Sequence, residues 1–305
     1  MSIGQIRRSR SVVARRTPPY LRERETEMVD LTGKTALVTG GARGQGRSHA
    51  LALAQAGASV AILDVCEDLE NVSYPLASQA DMDETMRLIN EANGKALAVK
   101  ADVRDREAIS DAVARIVDTF GSLDILAINH GVMAISEFRH MDPADWDVVI
   151  DINLNGVFNV LHAGLPHLLN QTWGRVIITS SMAGKGGYPQ FSHYSASKWA
   201  VIGLAKTVAL EVATTGTTVN VICPCCVDTP IIHNSTMYRL FRPDLDSPTI
   251  GDVAEEFCRY QPQGIPWIPP QAITDALMFL VSDGAKHMTG ETLSVAAGQN
   301  ANGAA

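Results

Sequence analysis

A serine, a tyrosine and a lysine have the types and spacing that move a proton. Tyr194 and Lys198 lie four positions apart at the start of an apolar-striped helical pattern, so their side chains share one face. Ser181 precedes Tyr194 by thirteen positions and follows a strand-like run in a Ser/Gly-rich turn. A phenol with a pKa of about 10 exchanges protons poorly at neutral pH, but a nearby ammonium favours the phenolate. The pattern suggests that Lys198 lowers the pKa of Tyr194, although Tyr-x-x-x-Lys alone is common in solvated helices.

A glycine-rich turn lies between the first strand-like run and a helical pattern. It reads Thr39-Gly40-Gly41-Ala42-Arg43-Gly44-Gln45-Gly46. Glycines let the backbone turn tightly and approach a pyrophosphate, whose charge the free amides and dipole of the following helix would meet. The turn therefore predicts a dinucleotide site.

The residues at the ends of the second and third strands decide which dinucleotide is expected. Asp64 ends the second strand, where a carboxylate accepts hydrogen bonds from both adenosine ribose hydroxyls and repels a 2'-phosphate. Val65 adds no charge that would bind such a phosphate, whereas Arg43 could bind it. Because Asp64 is closer to the deciding oxygen, NAD is favoured over NADP. Asp102 and Val103 would bracket the adenine ring, with an ordinary helix N-cap as the alternative for Asp102.

The elements that must position these residues alternate between β-branched runs and amphipathic helical segments, such as 47–55 and 194–213. This rhythm predicts an α/β fold, a doubly wound (Rossmann) parallel sheet of about seven strands with helices on both faces. No linker interrupts it, so residues 29–299 are expected to form a single domain. The predicted strands are Thr35 to Thr39, Ser59 to Asp64, Lys95 to Lys100, Ile125 to Asn129, Arg175 to Ser180, Thr218 to Cys223 and Thr292 to Val295.

Composition narrows the class of protein. A formal net charge of -8 and the lack of a basic patch in the folded part argue against a nucleic-acid partner. The longest apolar runs fall far short of a membrane span. Five cysteines without framework spacing suit a reducing compartment, so the expected location is the cytoplasm. Residues 1–28 are an Arg-rich segment, expected to be a disordered extension rather than a transit peptide or polyanion-binding arm, and 300–305 form a short tail.

From about Leu31 to Gly298 the sequence resembles a classical short-chain dehydrogenase/reductase. The resemblance implies that Tyr194 is the general base for alcohol oxidation and that Ser181 binds the substrate oxygen. It also implies that Lys198 binds the nicotinamide ribose and that Asn153 holds a water for proton relay. The coenzyme contacts that it implies are Gly40, Arg43, Gly44, Gln45, Gly46, Asp64, Val65, Asp102, Val103, Asn129, His130, Gly131, Tyr194, Lys198, Pro224, Val227 and Thr229.

Two positions depart from the family pattern. His130 stands where the family has a small residue, and it would crowd the coenzyme, hydrogen-bond it, or turn away as a packed histidine. Cys225 replaces the glycine expected after Pro224, which gives Cys223-Pro224-Cys225-Cys226. This matches a Cys-x-x-Cys redox or metal pair, but no second Cys/His pair is near in sequence, so no metal site is predicted.

One insertion indicates a subgroup. Between Asp64 and Asp102 lie 37 residues, about a dozen more than is usual in the family, with the extra stretch near 67–83. With Gly44 to His49, this stretch resembles the carveol-dehydrogenase-like, mycofactocin-associated subfamily of actinobacteria. That resemblance implies that the insertion covers the coenzyme, that NAD does not exchange between turnovers, and that electrons leave through a redox partner such as mycofactocin. The alternative is a surface loop without a role.

The segment 231–270 stands where the family has its substrate lid, and it is rich in large apolar residues. The expected substrate is therefore a hydrophobic secondary alcohol or its ketone. The resemblance also implies a homotetramer. Two other functions stay open: an NADP-dependent carbonyl reductase, suggested by Arg43, and a non-catalytic NAD(H)-binding regulator that keeps the fold without the chemistry.

Overall fold

A computed structural model describes residues 29–302, so the predicted extension 1–28 lies outside the described residues. Seven parallel strands form one sheet in the order β3-β2-β1-β4-β5-β6-β7, which confirms the predicted doubly wound fold. The strands are β1 (Thr35–Thr39), β2 (Ser59–Asp64), β3 (Lys95–Lys100), β4 (Ile125–Ile128), β5 (Gly174–Thr179), β6 (Thr217–Pro224) and β7 (Thr292–Val295).

Helices cover both faces of this sheet. The two helices predicted at 47–55 and 194–213 are present, the first beginning at Gly44 and the second running from Ser192 to Glu211. The helices are α1 (Gly44–Gln55), α2 (Gln79–Glu91), α3 (Arg106–Phe120), α4 (Pro143–Ile150), α5 (Gly156–Leu169), α6 (Ser192–Glu211), α7 (Ser235–Phe241), α8 (Ile250–Tyr260) and α9 (Pro270–Val281).

The strands are buried because their side chains serve two cores, one on each face. In β1, Leu37 packs into one apolar cluster, while Ala36 and Val38 pack into the other. This alternation follows from the two-residue repeat of a strand, and burial on both faces explains why the strands read as continuous apolar runs.

A third apolar cluster, which we call the lid cluster, lies outside the sheet. It joins α7 and α8 of the segment 231–270 to the loop after β4, and its buried members are Met133, Cys226, Ile232, Met237, Val253 and Phe257. The segment 231–270 therefore packs on the body of the domain largely through side chains, with one parallel bridge between Ile268 and Val227.

The strand order reverses between β1 and β4, and the loops from their carboxyl ends diverge there. In open parallel sheets this is the place where ligands bind. All the glycine-turn and strand-end residues singled out in the sequence follow the carboxyl ends of β1, β2, β3, β4, β5 and β6. The topology thus brings them to a single edge of the sheet.

The helical stretch Pro143–Leu169 has the length and mean hydropathy, 27 residues and 1.3, of a membrane span. It is longer than the apolar runs noted in the sequence because α4 and α5 are joined by one π-helical turn, Asp151–Asn155. Over its most apolar window 56% is buried inside the protein, as in the core helices of α/β domains.

Candidate active site

The glycine turn forms a narrow cradle between β1 and α1. Gly40 and Gly44 have φ angles of +64° and +57°, in the left-handed region that favours glycine. A Cβ on Gly46 would lie 1.9 Å from the Gly40 carbonyl oxygen, so only glycine lets the helix approach the strand this closely. Arg43, the N-cap of α1, makes no side-chain cap hydrogen bond, and the first turn carries no acidic residue. The cradle therefore presents free amides to an anion.

Asp64 lies beside this cradle at the end of β2. Its Oδ2 accepts a hydrogen bond from the Ala42 amide at 3.1 Å. Burial raises the pKa of Asp64, and hydrogen bonds from backbone amides oppose that rise. Arg43, which the sequence allowed as a 2'-phosphate ligand, instead donates to the Pro75 carbonyl in the inserted segment. The guanidinium is thus already engaged with the protein.

Asp102 and Val103 follow β3 and line the same cavity. Asp102 accepts hydrogen bonds from the Arg104 amide and guanidinium, and that pairing holds its pKa below the usual range despite burial. The N-cap interpretation of Asp102 is wrong, because the cap of α3 is Asp105, whose side chain accepts from the Glu107 and Ala108 amides. The side chain of Asp102 therefore does not cap α3.

His130 is packed behind the strand ends. Its Nδ1 lies 2.7 Å from Thr39 Oγ1, and its Nε2 would be 3.0 Å from a Cβ placed on Gly156 in α5. Burial and the nearby Lys198 lower the pKa of His130 to about 3, so the ring is neutral at ordinary pH. Among the three alternatives given by the sequence, the geometry is that of a packed histidine whose edge still lines the cavity.

Ser181, Tyr194 and Lys198 meet at the centre of the cavity. Ser181 follows β5, and Tyr194 hydrogen-bonds with it from the first turn of α6. Lys198 Nζ donates to the Thr179 carbonyl at 3.0 Å and lies 5.7 Å from the centre of the Tyr194 ring. The spacing of these residues in the sequence therefore brings them together, as predicted.

The protonation of this group differs from the sequence prediction. Burial raises the pKa of Tyr194 to about 12, although the hydrogen bond with Ser181 acts in the opposite direction. Burial also lowers the pKa of Lys198 to about 8. The pKa of Tyr194 is therefore above its ordinary value in this structure rather than below it, because burial of the phenol dominates.

Asn153 lies in the π-helical turn, behind the cavity wall. Its Oδ1 accepts from the Val132 amide at 2.8 Å, and its Nδ2 donates to the Val132 carbonyl at 2.9 Å and to Ser197 Oγ at 3.2 Å. The side chain thus ties the loop after β4 to α6. A Cβ on Gly131 would lie 3.2 Å from Asn153 Oδ1 and 3.3 Å from Lys198 Nζ, which explains the small residue there.

The loop after β6 closes the cavity opposite the glycine turn. Val227 forms a parallel bridge with Ile268, and Thr229 Oγ1 donates to the Val227 carbonyl at 3.2 Å. A Cβ on Gly44 would be 3.1 Å from the Thr229 methyl group, so this loop directly contacts the glycine turn.

A single cavity of about 470 Å³ joins these parts. Every candidate residue from the sequence lines it except Gly46 and Asn153, which lie behind its wall. Tyr74 lies in the insertion that the sequence indicated, and it also lines the cavity. Further lining residues that the sequence did not single out come from loops, from the end of α8 and from the C-terminal turn: Met133, Tyr188, Phe191, Tyr260 and Gln299. The first four have aromatic or apolar character as a signal, whereas Gln299 has none. Gln299 begins a 3-10 turn that runs to Asn302, so ordered structure extends past the predicted boundary at 299.

The chain was compared with known proteins. Residues 34–238 match the family described as short chain dehydrogenase, to which the chain belongs. It is 41% identical over 273 residues to (-)-trans-carveol dehydrogenase of Rhodococcus erythropolis, an alignment covering 89% of this chain and 99% of the relative.

Solved structures give the same family. Carveol dehydrogenase from Mycobacterium avium in complex with NAD is similar with a TM-score of 0.86 and 38% identity, covering 88% of this chain and 98% of that one. Levodione reductase is similar with a TM-score of 0.79 and 28% identity, covering 88% and 98%.

Proposed function

We propose that this protein is an NAD-dependent dehydrogenase that oxidises a hydrophobic secondary alcohol to its ketone, with Tyr194 as the acid/base group. The observation that carries this proposal is the position of Tyr194, Ser181 and Lys198. They lie in one cavity between the coenzyme cradle and an apolar wall.

The cavity fits NAD. The glycines of the cradle leave no room for a Cβ, and the buried Oε1 of Gln45 has no hydrogen-bond partner among residues 29–302, so both are suited to a ligand. Asp64 would take the adenosine ribose and Asp102 and Val103 the adenine side, while Val227 and Thr229 would lie at the nicotinamide. Bound there, NAD supplies the acceptor for the hydride that leaves the alcohol carbon. The likeness to an NAD complex supports this choice.

The protein's own groups would handle the proton. Ser181 would donate a hydrogen bond to the substrate oxygen, and Tyr194 would take the hydroxyl proton as the carbonyl forms. Lys198, with a pKa of about 8, is charged at neutral pH and supplies the positive charge that a buried phenolate requires. Because the side chain of Asn153 is fully engaged, it acts as a positioning residue, and its main chain would have to bind the relay water.

The wall of the cavity opposite the glycine turn favours an apolar substrate. The cavity wall opposite the cradle is made by the lid cluster together with Phe241, Leu240 and Ile231, and Phe241 stacks on Phe257 with ring centres 4.1 Å apart. A terpenoid alcohol of the size of carveol is the natural first candidate, given the likeness to carveol dehydrogenase.

The inserted segment supports a tightly held coenzyme. Tyr74 is buried in the cavity wall, and its hydroxyl accepts from the Met133 amide at 3.2 Å. Arg43 holds the neighbouring Pro75, and Asn71 donates to Asp145 on α4 at 3.3 Å. The segment is thus attached on both sides of the cavity, which would hinder release of NAD. Electrons would then leave through a redox partner such as mycofactocin.

The outer faces of α5 and α6 support a homotetramer. Trp199 is 54% exposed, Leu210 80% and Phe158 41%. Exposed apolar patches of large side chains mark contacts between protein chains. The cytoplasm remains the expected location.

The test is the fluorescence of the purified protein, without added coenzyme, as hydrophobic secondary alcohols beginning with carveol are supplied. Emission of reduced nicotinamide in the wild type, and a loss of roughly 10²- to 10⁴-fold in rate in Tyr194→Phe, would support the proposal. Tyr238→Phe, which removes a phenol bonded to His233 outside the cavity wall, is the matched control and is expected to keep its rate.

The other outcomes distinguish the remaining alternatives. Emission only after NAD is added would support the dehydrogenase activity and contradict a tightly held, non-exchanging NAD. Faster turnover with NADP would favour the carbonyl reductase, with Arg43, one of whose nitrogens donates to the Pro75 carbonyl, as the candidate ligand for the 2'-phosphate. Bound NAD that no alcohol in the panel reduces would favour the non-catalytic regulator.

A further inference from the structure

Two adjacent thiols lie on the wall of the cavity. Cys225 and Cys226 follow the end of β6, both line the cavity, and their Sγ atoms are 3.7 Å apart. The sequence suggested that Cys223 and Cys226 would pair. In the structure the sulfur atoms that lie close together are instead those of Cys225 and Cys226. Cys223 points elsewhere and hydrogen-bonds with Ser180. A disulfide needs a sulfur separation of about 2 Å, so closure must draw the two sulfur atoms together and distort the peptide between them, because adjacent Cα atoms lie about 3.8 Å apart, closer than in ordinary disulfides.

The protein holds this pair in place from both sides. The Cys225 amide donates to the Val295 carbonyl at 3.3 Å, and the Cys226 carbonyl accepts from the Ile268 amide at 2.8 Å. The thiol of Cys225 also contacts Gln299 Oε1 at 2.8 Å. These contacts hold both the backbone of the pair and the side chain of Cys225, so the loop fixes the short distance between the two sulfur atoms.

The two thiols differ in environment. Cys226 is a buried member of the lid cluster, whereas Cys225 is only partly buried. The hydrogen bond between them lowers the pKa of Cys225 and raises that of Cys226. Because the thiolate is the nucleophile, Cys225 is the residue that an incoming reagent would meet first.

We propose that Cys225 and Cys226 form a vicinal dithiol site that small-molecule disulfides oxidise to a disulfide between the two residues. The trivalent arsenic of an arsenical, which takes two sulfur ligands at once, recognises the same pair. A third ligand for a metal is lacking within residues 29–302, where no group of three or more Cys, His, Asp or Glu side chains could hold an ion.

The reaction is two thiol–disulfide exchanges. The Cys225 thiolate attacks one sulfur of the small disulfide, whose S–S bond breaks and releases one thiolate. The Cys226 thiolate then attacks the Cys225 sulfur and displaces the second thiolate. The two protein thiols are oxidised, the small disulfide is reduced to two thiols, and the two protons end on those products.

The position of the pair predicts the consequence. Cys226 packs with Met133, Met237 and Phe257 on the substrate side, whereas Asp64 and the glycine turn lie on the coenzyme side. Closing the ring would reshape the wall beside Tyr194, between Pro224 and Val227 at the expected nicotinamide site. We therefore expect oxidation to stop alcohol turnover.

The first test needs no activity and so is independent of the proposed function. The reduced full-length protein is treated with oxidised glutathione, free thiols are alkylated, and peptides are mapped by mass spectrometry. The expected result is loss of two hydrogen atoms from the peptide that contains Cys225 and Cys226, with neither residue alkylated, reversed by dithiothreitol. The same result is expected in the matched control Cys258→Ser, which removes a partly exposed thiol on α8.

Single variants and a second probe complete the test. Cys225→Ser and Cys226→Ser should each lose the internal disulfide. The wild type is expected to bind one phenylarsine oxide per chain, and each variant should lose that binding. Full alkylation of both cysteines in the oxidised wild type, or a glutathione adduct that persists on Cys225, would overturn the proposal. Should a serine variant fail to fold, the wild-type peptide map and arsenical stoichiometry decide alone. Loss of turnover on oxidation applies only if the proposed activity is found.

Discussion

The two sides of the cavity are built in different ways. The coenzyme side is made largely of backbone: the turn from Gly40 to Gly46, the strand ends at Asp64 and Asn129, and hydrogen bonds between them. The substrate side is made of side chains from α7, α8 and the loop after β4, packed as an apolar cluster. A Cβ on Gly46 would lie 1.9 Å from the Gly40 carbonyl oxygen, so that position allows no substitution, whereas an apolar wall tolerates changes of volume. The coenzyme side should therefore be the sensitive one.

The largest effect on stability and coenzyme binding is expected from a substitution at Gly46, on the coenzyme side of the cavity. Gly46→Ala would place a methyl group 1.9 Å from the Gly40 carbonyl oxygen, so α1 must move away from β1. We expect loss of coenzyme binding and a decrease of at least ~3 kcal/mol in the free energy of unfolding. Urea denaturation and coenzyme titration measure both.

The control for that substitution is Gly251→Ala. Gly251 also lies in the first turn of a helix, α8, but the nearest atom to its added Cβ would be 3.8 Å away. Stability should change by no more than ~1 kcal/mol there. An equal loss of unfolding free energy in both variants would mean that the close contact between Gly46 and Gly40 does not determine the stability of the domain.

A pH dependence of stability is expected from the coenzyme side. His49, on α1, is fully buried, its Nδ1 lies 2.8 Å from Thr274 Oγ1, and burial lowers its pKa to about 4. The unfolded chain takes up a proton below pH 6.5 whereas the folded state does so only below about 4, so stability falls as the pH decreases between these values. That difference in pKa corresponds to ~3 kcal/mol. His130, with a pKa of about 3, adds to the loss in the same direction.

His49→Gln isolates this contribution. Thermal unfolding followed from pH 7.5 to pH 4 should show a smaller decrease in Tm than in the wild type. The same substitution at the exposed His287 controls for the loss of one histidine. A wild-type Tm that stays flat over this range would contradict a neutral, buried His49.

The difference between the two sides also explains what the sequence could predict. The strands, the glycine turn and the group of Ser181, Tyr194 and Lys198 depend on local patterns and on the rule that parallel strand ends meet at one edge. Tyr188 and Tyr260 come from distant segments and approach each other only because the lid packs as it does. Periodicity carries no information about that packing.

Electrostatics were harder to predict than positions. The spacing of Tyr194 and Lys198 predicted their proximity, but the pKa of the phenol depends on how completely the fold buries it, and burial raises it to about 12. The N-cap alternative for Asp102 fails for a local reason. Asp105 is the aspartate next to α3 and competes better for its free amides.

A pair of substitutions separates the two sides in kinetics. Asp64→Asn keeps an acceptor for the Ala42 amide but loses the charge, and should weaken NAD binding roughly 10- to 100-fold while reducing discrimination against NADP. Met237→Ala on the substrate side should instead raise the KM for an apolar alcohol by about tenfold, with NAD affinity unchanged. If Met237→Ala weakened NAD binding as strongly as Asp64→Asn, the two sides would not be independent.

The smallest expected effect concerns Tyr74, which joins the two sides. Its hydroxyl accepts from the Met133 amide, so a coenzyme-side loop is attached to a member of the lid cluster. Tyr74→Phe removes a hydrogen bond worth ~1 kcal/mol and should speed coenzyme release about fivefold, measured by exchange with labelled NAD. Ser73→Ala, at the exposed neighbouring position, should leave the release rate unchanged. An unchanged rate in Tyr74→Phe would mean that the loop is held by Arg43 and Asn71 without the phenol, and the coenzyme side would then be closed by its own contacts alone.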